Sequence, residues 1–144
     1  AETSDEETSL SGYHILLAED NLLNLEIAEF ILTDAGAVVT KACNGEEALH
    51  LFMESSPCEY DIILMDIMMP VMDGYQTTRA IRSLDRPDAK TIPILAMTAN
   101  AFAEDRQKTY AAGMNEHLTK PLDTELLLKT IAKYTPEKKA PITP

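Results

Sequence analysis

From Ile62 to Met65 the chain is apolar at four consecutive positions, and the fifth, Asp66, is a carboxylate. A short run without the period of two that marks a half-exposed strand is the pattern of a strand buried on both faces, as in a parallel sheet covered by helices. Pro70 and Asp73-Gly74 break the chain soon afterwards, so Asp66 is expected at the strand's carboxyl end. In open α/β sheets, ligands bind in the crevice beyond those ends. Taken alone, Asp66 reads equally well as a turn-starting aspartate.

The rest of the sequence repeats this unit. Strand patterns over about 13–18, 38–42, 62–66, 92–97 and 116–119 alternate with helical ones, which predicts a doubly wound five-stranded parallel α/β sheet. Asn21 or Asp20 can cap the first helix, whose Leu25, Ala28, Leu32 and Ala35 share one face before Gly36 stops it. Asn44 with Glu47 resembles a capping box for the second, which buries Ala48, Leu51 and Phe52. A third helix is expected over about 73–84, and residues 86–91, with little apolar content, read as a surface loop. The fourth, about 101–112, ends at Gly113; the fifth starts at Asp123 and buries Leu127, Ile131 and Tyr134. Five helices are therefore expected.

Composition sets limits on partners and on setting. The 144 residues suffice for one domain that buries roughly two-thirds of its unfolded surface. Residues 1–12 read as an acidic tail or linker, 13–135 as the folded domain, and 136–144, with three prolines, as a second linker or tail. Against 12 Lys and Arg stand 24 Asp and Glu, a net charge of −12, which is the wrong sign for phosphate backbones or anionic lipid. Direct contact with nucleic acid or membrane is thus not expected. Cys43 and Cys58 lack metal-type spacing and a supporting His or Cys cluster, which points to a reduced, cytoplasmic setting. No apolar stretch approaches the ~18 residues of a membrane span.

Parallel strands joined by right-handed crossovers bring their carboxyl ends to one rim, so Glu19-Asp20, Asp66, Thr98 and Lys120 should converge. Singly, these residues read as a helix cap, a turn, a loop hydroxyl and a solvated charge. Together they make a site. Two carboxylates about 5 Å apart repel by roughly 3 kcal/mol at an effective dielectric of 20, so three of them need a cation or raised pKa values. All-oxygen ligands with room for water and phosphate suit Mg²⁺. A carboxylate nucleophile beside Mg²⁺ and a lysine is suited to accepting a phosphoryl group as an aspartyl phosphate.

The segments Leu17-Ala-Glu-Asp-Asn21, Leu64-Met-Asp-Ile-Met-Met-Pro-Val-Met-Asp-Gly74, Ala96-Met-Thr-Ala-Asn100 and Leu118-Thr-Lys-Pro-Leu122 resemble the receiver domain of two-component response regulators. The likeness runs over about 14–133 and is nearest to receivers of hybrid sensor histidine kinases. It implies the flavodoxin-like strand order 2-1-3-4-5, which the chemotaxis members of this fold show. It also implies roles. Asp66 would take the phosphoryl group from a phosphohistidine on a histidine kinase core or a histidine phosphotransfer domain; Glu19, Asp20, Asp66 and the backbone carbonyl of Met68 would hold Mg²⁺. Lys120 would pair with the phosphoryl group, Thr98 would swing toward it, small Ala99 would leave the pocket open, and the Lys120-Pro121 bond would be cis. Such a domain assists its own phosphorylation and dephosphorylation without being an enzyme. It would switch the surface made by the helix ending at Gly113, the strand carrying His117 and the last helix, where a homodimer would also form. As part of a membrane-bound hybrid kinase it would lie in the cytoplasm.

One position departs from the family pattern: three residues before the lysine, where receivers usually carry Tyr or Phe, stands His117. It reads first as a surface imidazole, and second as a switch residue whose charge changes near neutral pH. Away from the acidic rim, His14 and His50 read as ordinary, and Met68, Met69 and Met72 as loop packing. Other functions fit less well. A flavin mononucleotide protein needs a phosphate-cradling loop where Glu19-Asp20 would repel phosphate, and a carboxylate-nucleophile phosphohydrolase usually needs an acid where Met68 stands. A degenerate receiver acting only as a docking module would have lost an acid, Thr98 or Lys120, and all are present.

Overall fold

The structure, a computed structural model, describes residues 9–99 and 103–135. Along the chain run β1 (His14–Ala18), α1 (Leu22–Asp34), β2 (Val38–Ala42), α2 (Gly45–Glu54), β3 (Ile62–Asp66), α3 (Gly74–Arg82), α4 (Pro87–Thr91), β4 (Ile94–Thr98), α5 (Ala103–Ala112), β5 (Glu116–Thr119) and α6 (Thr124–Tyr134). The strands form one parallel sheet in the order β2-β1-β3-β4-β5. This is the doubly wound α/β sheet and strand order expected above.

Burial follows position in the sheet. All residues of β3 and β4 are buried, while edge strand β2 buries only Ala42. Alternate side chains of the inner strands feed two cores. On one face Ile15, Leu17, Ile62 and Leu64 meet Leu25 and Leu32 of α1 and Leu127 and Ile131 of α6. On the other, Leu16, Ile63, Met65 and Ala96 meet Phe52 of α2 and Ile81 of α3. Each of the larger side chains contributes roughly 1.5–3 kcal/mol by leaving water, so both helical layers are fixed to the sheet. Packing begins at Leu10, which is fully buried and donates its N–H to the Ala35 carbonyl at 2.7 Å.

The helix starts follow the local chemistry. Asn21 accepts from the Asn24 N–H at 3.0 Å and Asp123 from that of Leu126 at 3.1 Å. Asp73 and Gln76 form a two-way capping box. Asn44 accepts from the Glu47 N–H at 2.8 Å, but the Glu47 carboxylate returns to the N–H of Cys43, one residue before the cap.

In one place the expected fold is corrected: among the described residues there are six helices, because residues 87–91 form the short α4 and not a loop. One turn is too short to show a helical period in sequence. Pro87 presets its start, and Arg86 forks onto Asp88 through two 2.8 Å bonds. Arg86 also donates to the carbonyls of Phe52 and Ser55 at 3.0 and 3.1 Å and lies 4.6 Å over the Phe52 ring. The expected strand at 92–97 likewise starts later, at Ile94, and takes in Thr98. The expected start of the fourth helix at Ala101 lies outside the described residues, as do 1–8 and 136–144 of the two tails.

The turn after β3 is tight. A Cβ on Gly74 would collide with the Asp66 carbonyl, and one on Gly45 with the Thr77 hydroxyl and the Met72 carbonyl. Glycine at these two positions lets α3 start directly under the end of β3 with α2 against it. Within that turn Val71 has φ +71 and is 74 % exposed, a β-branched residue in a conformation that asparagine tolerates far better. Val71→Asn should therefore raise unfolding stability by about 0.5–1 kcal/mol, read from urea denaturation midpoints at unchanged slope; an unchanged or lower midpoint would contradict the strain assigned to this turn.

Candidate functional site

Register gathers the site. Ala18 pairs with Met65, Asp66 with Met97 and Thr98 with Thr119, so Glu19, Asp66, Thr98 and Lys120 all stand at the carboxyl ends of adjacent strands. Backbone bonds hold these ends together: Glu19 N–H to Ala42 O at 3.0 Å, Ile67 N–H to Met97 O at 3.1 Å and Lys120 N–H to Thr98 O at 2.8 Å. Lys120 Nζ lies 2.9 Å from Glu19 Oε1 and 3.1 Å from Asp66 Oδ1, bridging the two. Both carboxylates are buried, at 2 % and 3 % exposure, and Glu19 Oε2 also accepts the Asn21 N–H at 3.2 Å. Asp20 is exposed beside them, and oxygens of Glu19, Asp20 and Asp66 lie within 4.8 Å of one another.

The electrostatics of this rim are uneven, because a single ammonium faces three carboxylates. Burial first, and then the charge of Glu19, push the Asp66 carboxyl up to about 7, while Lys120 opposes them. Burial acts to lower the pKa of Lys120, but its bonds to Glu19 and Asp66 outweigh this and raise it. The donor set is all oxygen, clustered and short of positive charge, which fits a hard divalent cation such as Mg²⁺.

The remaining expected residues fall around this centre. Thr98 is buried at the end of β4, and the Lys120-Pro121 bond is cis. Met68 is 76 % exposed at the loop tip, whereas Met69 is buried. His117 is half-buried on β5, paired in register with Ala96 and so on the same side of the sheet as Met65 and Phe52. His14 accompanies Thr40 and Tyr60 through a 2.8 Å bond and a 4.6 Å ring contact, remote from the rim. Cys43 and Cys58 are free and exposed.

Sequence reasoning did not single out the apolar surface next to this centre. Leu22, Leu23, Ile27 and Phe30 of α1 are all 46 % exposed or more. They lie off the buried stripe of Leu25, Ala28 and Leu32. A cleft of about 90 Å³, lined by Glu19, Asn24, Ile27, Lys120, Pro121 and Leu122, leads from them to the acidic cluster. The available signal was that α1 is apolar on both faces, more than a helix with one packed side needs. A larger open hollow of about 370 Å³ on α2, lined by Asn44, Glu46, Glu47, His50, Leu51 and Glu54, includes none of the rim residues. Among the described residues no helix is long and apolar enough to cross a membrane.

Known proteins share this arrangement. Residues 15–132 match the family described as response regulator receiver domain. "Probable histidine kinase 2" of Oryza sativa subsp. indica is 35 % identical over 139 residues, which cover 89 % of this chain and 13 % of that protein. "Hybrid signal transduction histidine kinase B" of Dictyostelium discoideum is 40 % identical over 130 residues, covering 83 % of this chain and 6 % of the kinase. The chain thus spans a small part of such relatives. Among solved structures, the receiver domain of a sensor histidine kinase from Pseudomonas aeruginosa PAO1, with magnesium coordinated in its active site cleft, is 37 % identical with a TM-score of 0.79, covering 88 % of this chain and 99 % of that one. The receiver domain of a Saccharomyces cerevisiae response regulator, solved with a histidine phosphotransfer protein, is 26 % identical with a TM-score of 0.78, covering 89 % and 92 %. With the matched stretch embracing every strand but the first residue of β1, and the acidic rim in place, the chain belongs to the response regulator receiver domain family.

Proposed function

We propose that Asp66 is the phosphoacceptor of a two-component phosphorelay, taking its phosphoryl group from a phosphohistidine on a histidine kinase core or a phosphotransfer domain. The observation that carries this reading is the Lys120 ammonium seated between Glu19 and Asp66 beside the oxygen cluster with Asp20. An Asp66 Oδ attacks phosphorus, the P–O bond forms as the P–N bond to the imidazole breaks, and the electron pair returns to the ring nitrogen, which is then protonated. Lys120 can leave its carboxylates for the phosphoryl oxygens, and Thr98, at the adjacent strand end, supplies a hydroxyl donor to them. Glu19, Asp20, Asp66 and the Met68 carbonyl would hold Mg²⁺, which when bound neutralises charge on the phosphoryl oxygens. In this reading the domain also assists hydrolysis of its own acyl phosphate, and residues 13–135, with the packed Leu10 before them, act as one receiver unit.

The donor approaches over α1. A phosphohistidine can reach Asp66 only if its carrier covers the rim, and the apolar Leu23, Ile27 and Phe30 beside the 90 Å³ cleft form the surface such a carrier would bury. The α5, β5 and α6 face would carry the response and any self-association, with His117 within it. Likeness to histidine kinases, one of them hybrid, is the ground for placing this domain within such a kinase, on the cytoplasmic side.

Three outcomes are expected. With Mg²⁺ and a small-molecule phosphodonor such as acetyl phosphate, intact mass should rise by one phosphoryl group; Asp66→Asn should abolish the gain, EDTA should suppress it, and Lys120→Ala should slow it at least tenfold. Labelling that persists in Asp66→Asn would refute Asp66 as acceptor. Phe30→Asp should leave labelling by acetyl phosphate intact while slowing transfer from a phosphorylated phosphotransfer domain about tenfold or more, as expected for loss of one buried aromatic anchor; equal rates from both donors would remove α1 from the docking surface. The third concerns stability without metal. Because the folded pKa of Asp66 is raised from 3.8 to about 7, folding favours the protonated acid, and its favourable contribution is complete below about 3.8 and lost as pH rises to 7. In EDTA at pH 8, Asp66→Asn should be more stable than the parent by on the order of 2 kcal/mol, and the gain should vanish near pH 4; thermal melts showing a gain independent of pH would exclude this cause.

A further inference from the structure

At the far end of α3 stands a second cation that the phosphoacceptor chemistry does not use. Arg82, the last residue of that helix, donates from Nε and Nη2 to the Gly113 carbonyl at 3.0 and 2.8 Å, from Nη2 to Asn115 Oδ1 at 3.0 Å and from Nη1 to the Ala89 carbonyl at 3.1 Å. All three acceptors are neutral. Burial lowers its pKa, and among the described residues no carboxylate opposes that effect. What offsets the partly buried charge is the carboxyl end of α5, whose terminal carbonyls carry partial negative charge. That end is closed by Gly113 at φ +107, with Gly113 N–H on Tyr110 O at 3.0 Å and Met114 N–H on Thr109 O at 3.1 Å. The closure leaves no spare room: a Cβ on Gly113 would stand 3.1 Å from Arg82 Cγ.

Asn115 spreads the same knot to the sheet. Its Oδ1 accepts the Ile94 N–H at 2.9 Å as well as Arg82, its N–H bonds Ile94 O at 2.8 Å, and its carbonyl accepts the Tyr134 hydroxyl at 3.1 Å. The starts of β4 and β5, the carboxyl ends of α3 and α5, and the last turn of α6 therefore share one hydrogen-bonded point. The opposite end of α3 rests on the residue just past β3, with Gly74 N–H on Ile67 O at 2.9 Å. The nine residues of α3 are a strut of roughly 13 Å between the two.

We propose that Arg82 is the anchor of α5, pinning the carboxyl end of that helix to α3 so that the rearrangement following phosphorylation is taken up at its amino-terminal end. The regulatory half of this statement rests on the phosphoacceptor reading above; the anchoring half does not.

The two halves are tested on the same chain. In the unliganded protein, Arg82→Met, which keeps the apolar stem and removes the fork, should speed amide hydrogen exchange over residues 107–114 by roughly tenfold or more while α1 is unchanged. With Mg²⁺ and beryllofluoride, the largest amide shifts of the parent α5 should fall in its first half, and in Arg82→Met they should spread to Gly113–Glu116 and Ile94. Unchanged exchange over 107–114 overturns the anchor, and parent shifts already largest at Gly113–Asn115 overturn the regulatory role. If Arg82→Met does not fold, Arg82→Lys, which keeps the charge but not the fork, should give a smaller rise in the same amides, and no rise there overturns the anchor equally. A parent that shows no beryllofluoride response at residues 19–21, 66 and 98 instead sinks the phosphoacceptor reading, and the exchange result alone then judges Arg82.

Discussion

The Lys120 ammonium between Glu19 and Asp66 is the interaction on which this architecture turns. Three carboxylates at one rim repel one another, and a sheet that ended in them without a counter-charge would be held together at its site only by the cores beneath. Lys120 offsets part of that repulsion, though not enough to keep Asp66 at an ordinary carboxylate pKa. A hard divalent cation is the ligand that such a rim fits, since it relieves an excess of negative charge already present in the fold. The site is strained electrostatically before anything binds, which is how a small covalent change there can bias its surroundings.

Much of this was legible in the residues. The unbroken apolar run before Asp66 marked an inner strand because burial on both faces leaves no polar position to alternate with, and parallel strands with right-handed crossovers placed Glu19, Thr98 and Lys120 at neighbouring strand ends. Asn21, one of two caps expected for the first helix, does cap it, and Asp73 and Asp123, expected as helix starts, cap the helices that follow them. What escaped depended on contacts distant in sequence. Residues 86–91 look like a loop until Arg86 is seen over Phe52, some thirty positions earlier. Nor does local pattern show that Lys120 holds Glu19 as firmly as Asp66, or that Arg82 spans to Gly113. The apolar excess of α1 was visible, yet assigning which of its residues face outward needed the packed helix.

His117 marks the place where the family pattern and this chain part. An aromatic ring at that position can move between core and solvent at little polar cost, whereas an imidazole carries two ring nitrogens that need partners wherever it goes. His117 is half-buried on the same side of the sheet as Met65, Ala96 and Thr98. α3 is joined to the same surface by the Arg82 bonds to Gly113 and Asn115, independent of any ring at position 117.

The exposed leucines, isoleucine and phenylalanine of α1 also bear on how copies of the chain behave toward each other. A greasy patch on a neutral protein invites self-adhesion. Here each molecule carries a net charge of −12, so two copies repel at long range before their patches can touch. A carrier with complementary positive groups would be drawn in by the same field. One surplus of acid thus opposes self-adhesion and would favour a positively charged carrier, and both effects weaken together as added salt shortens the reach of that field to about 8 Å or less.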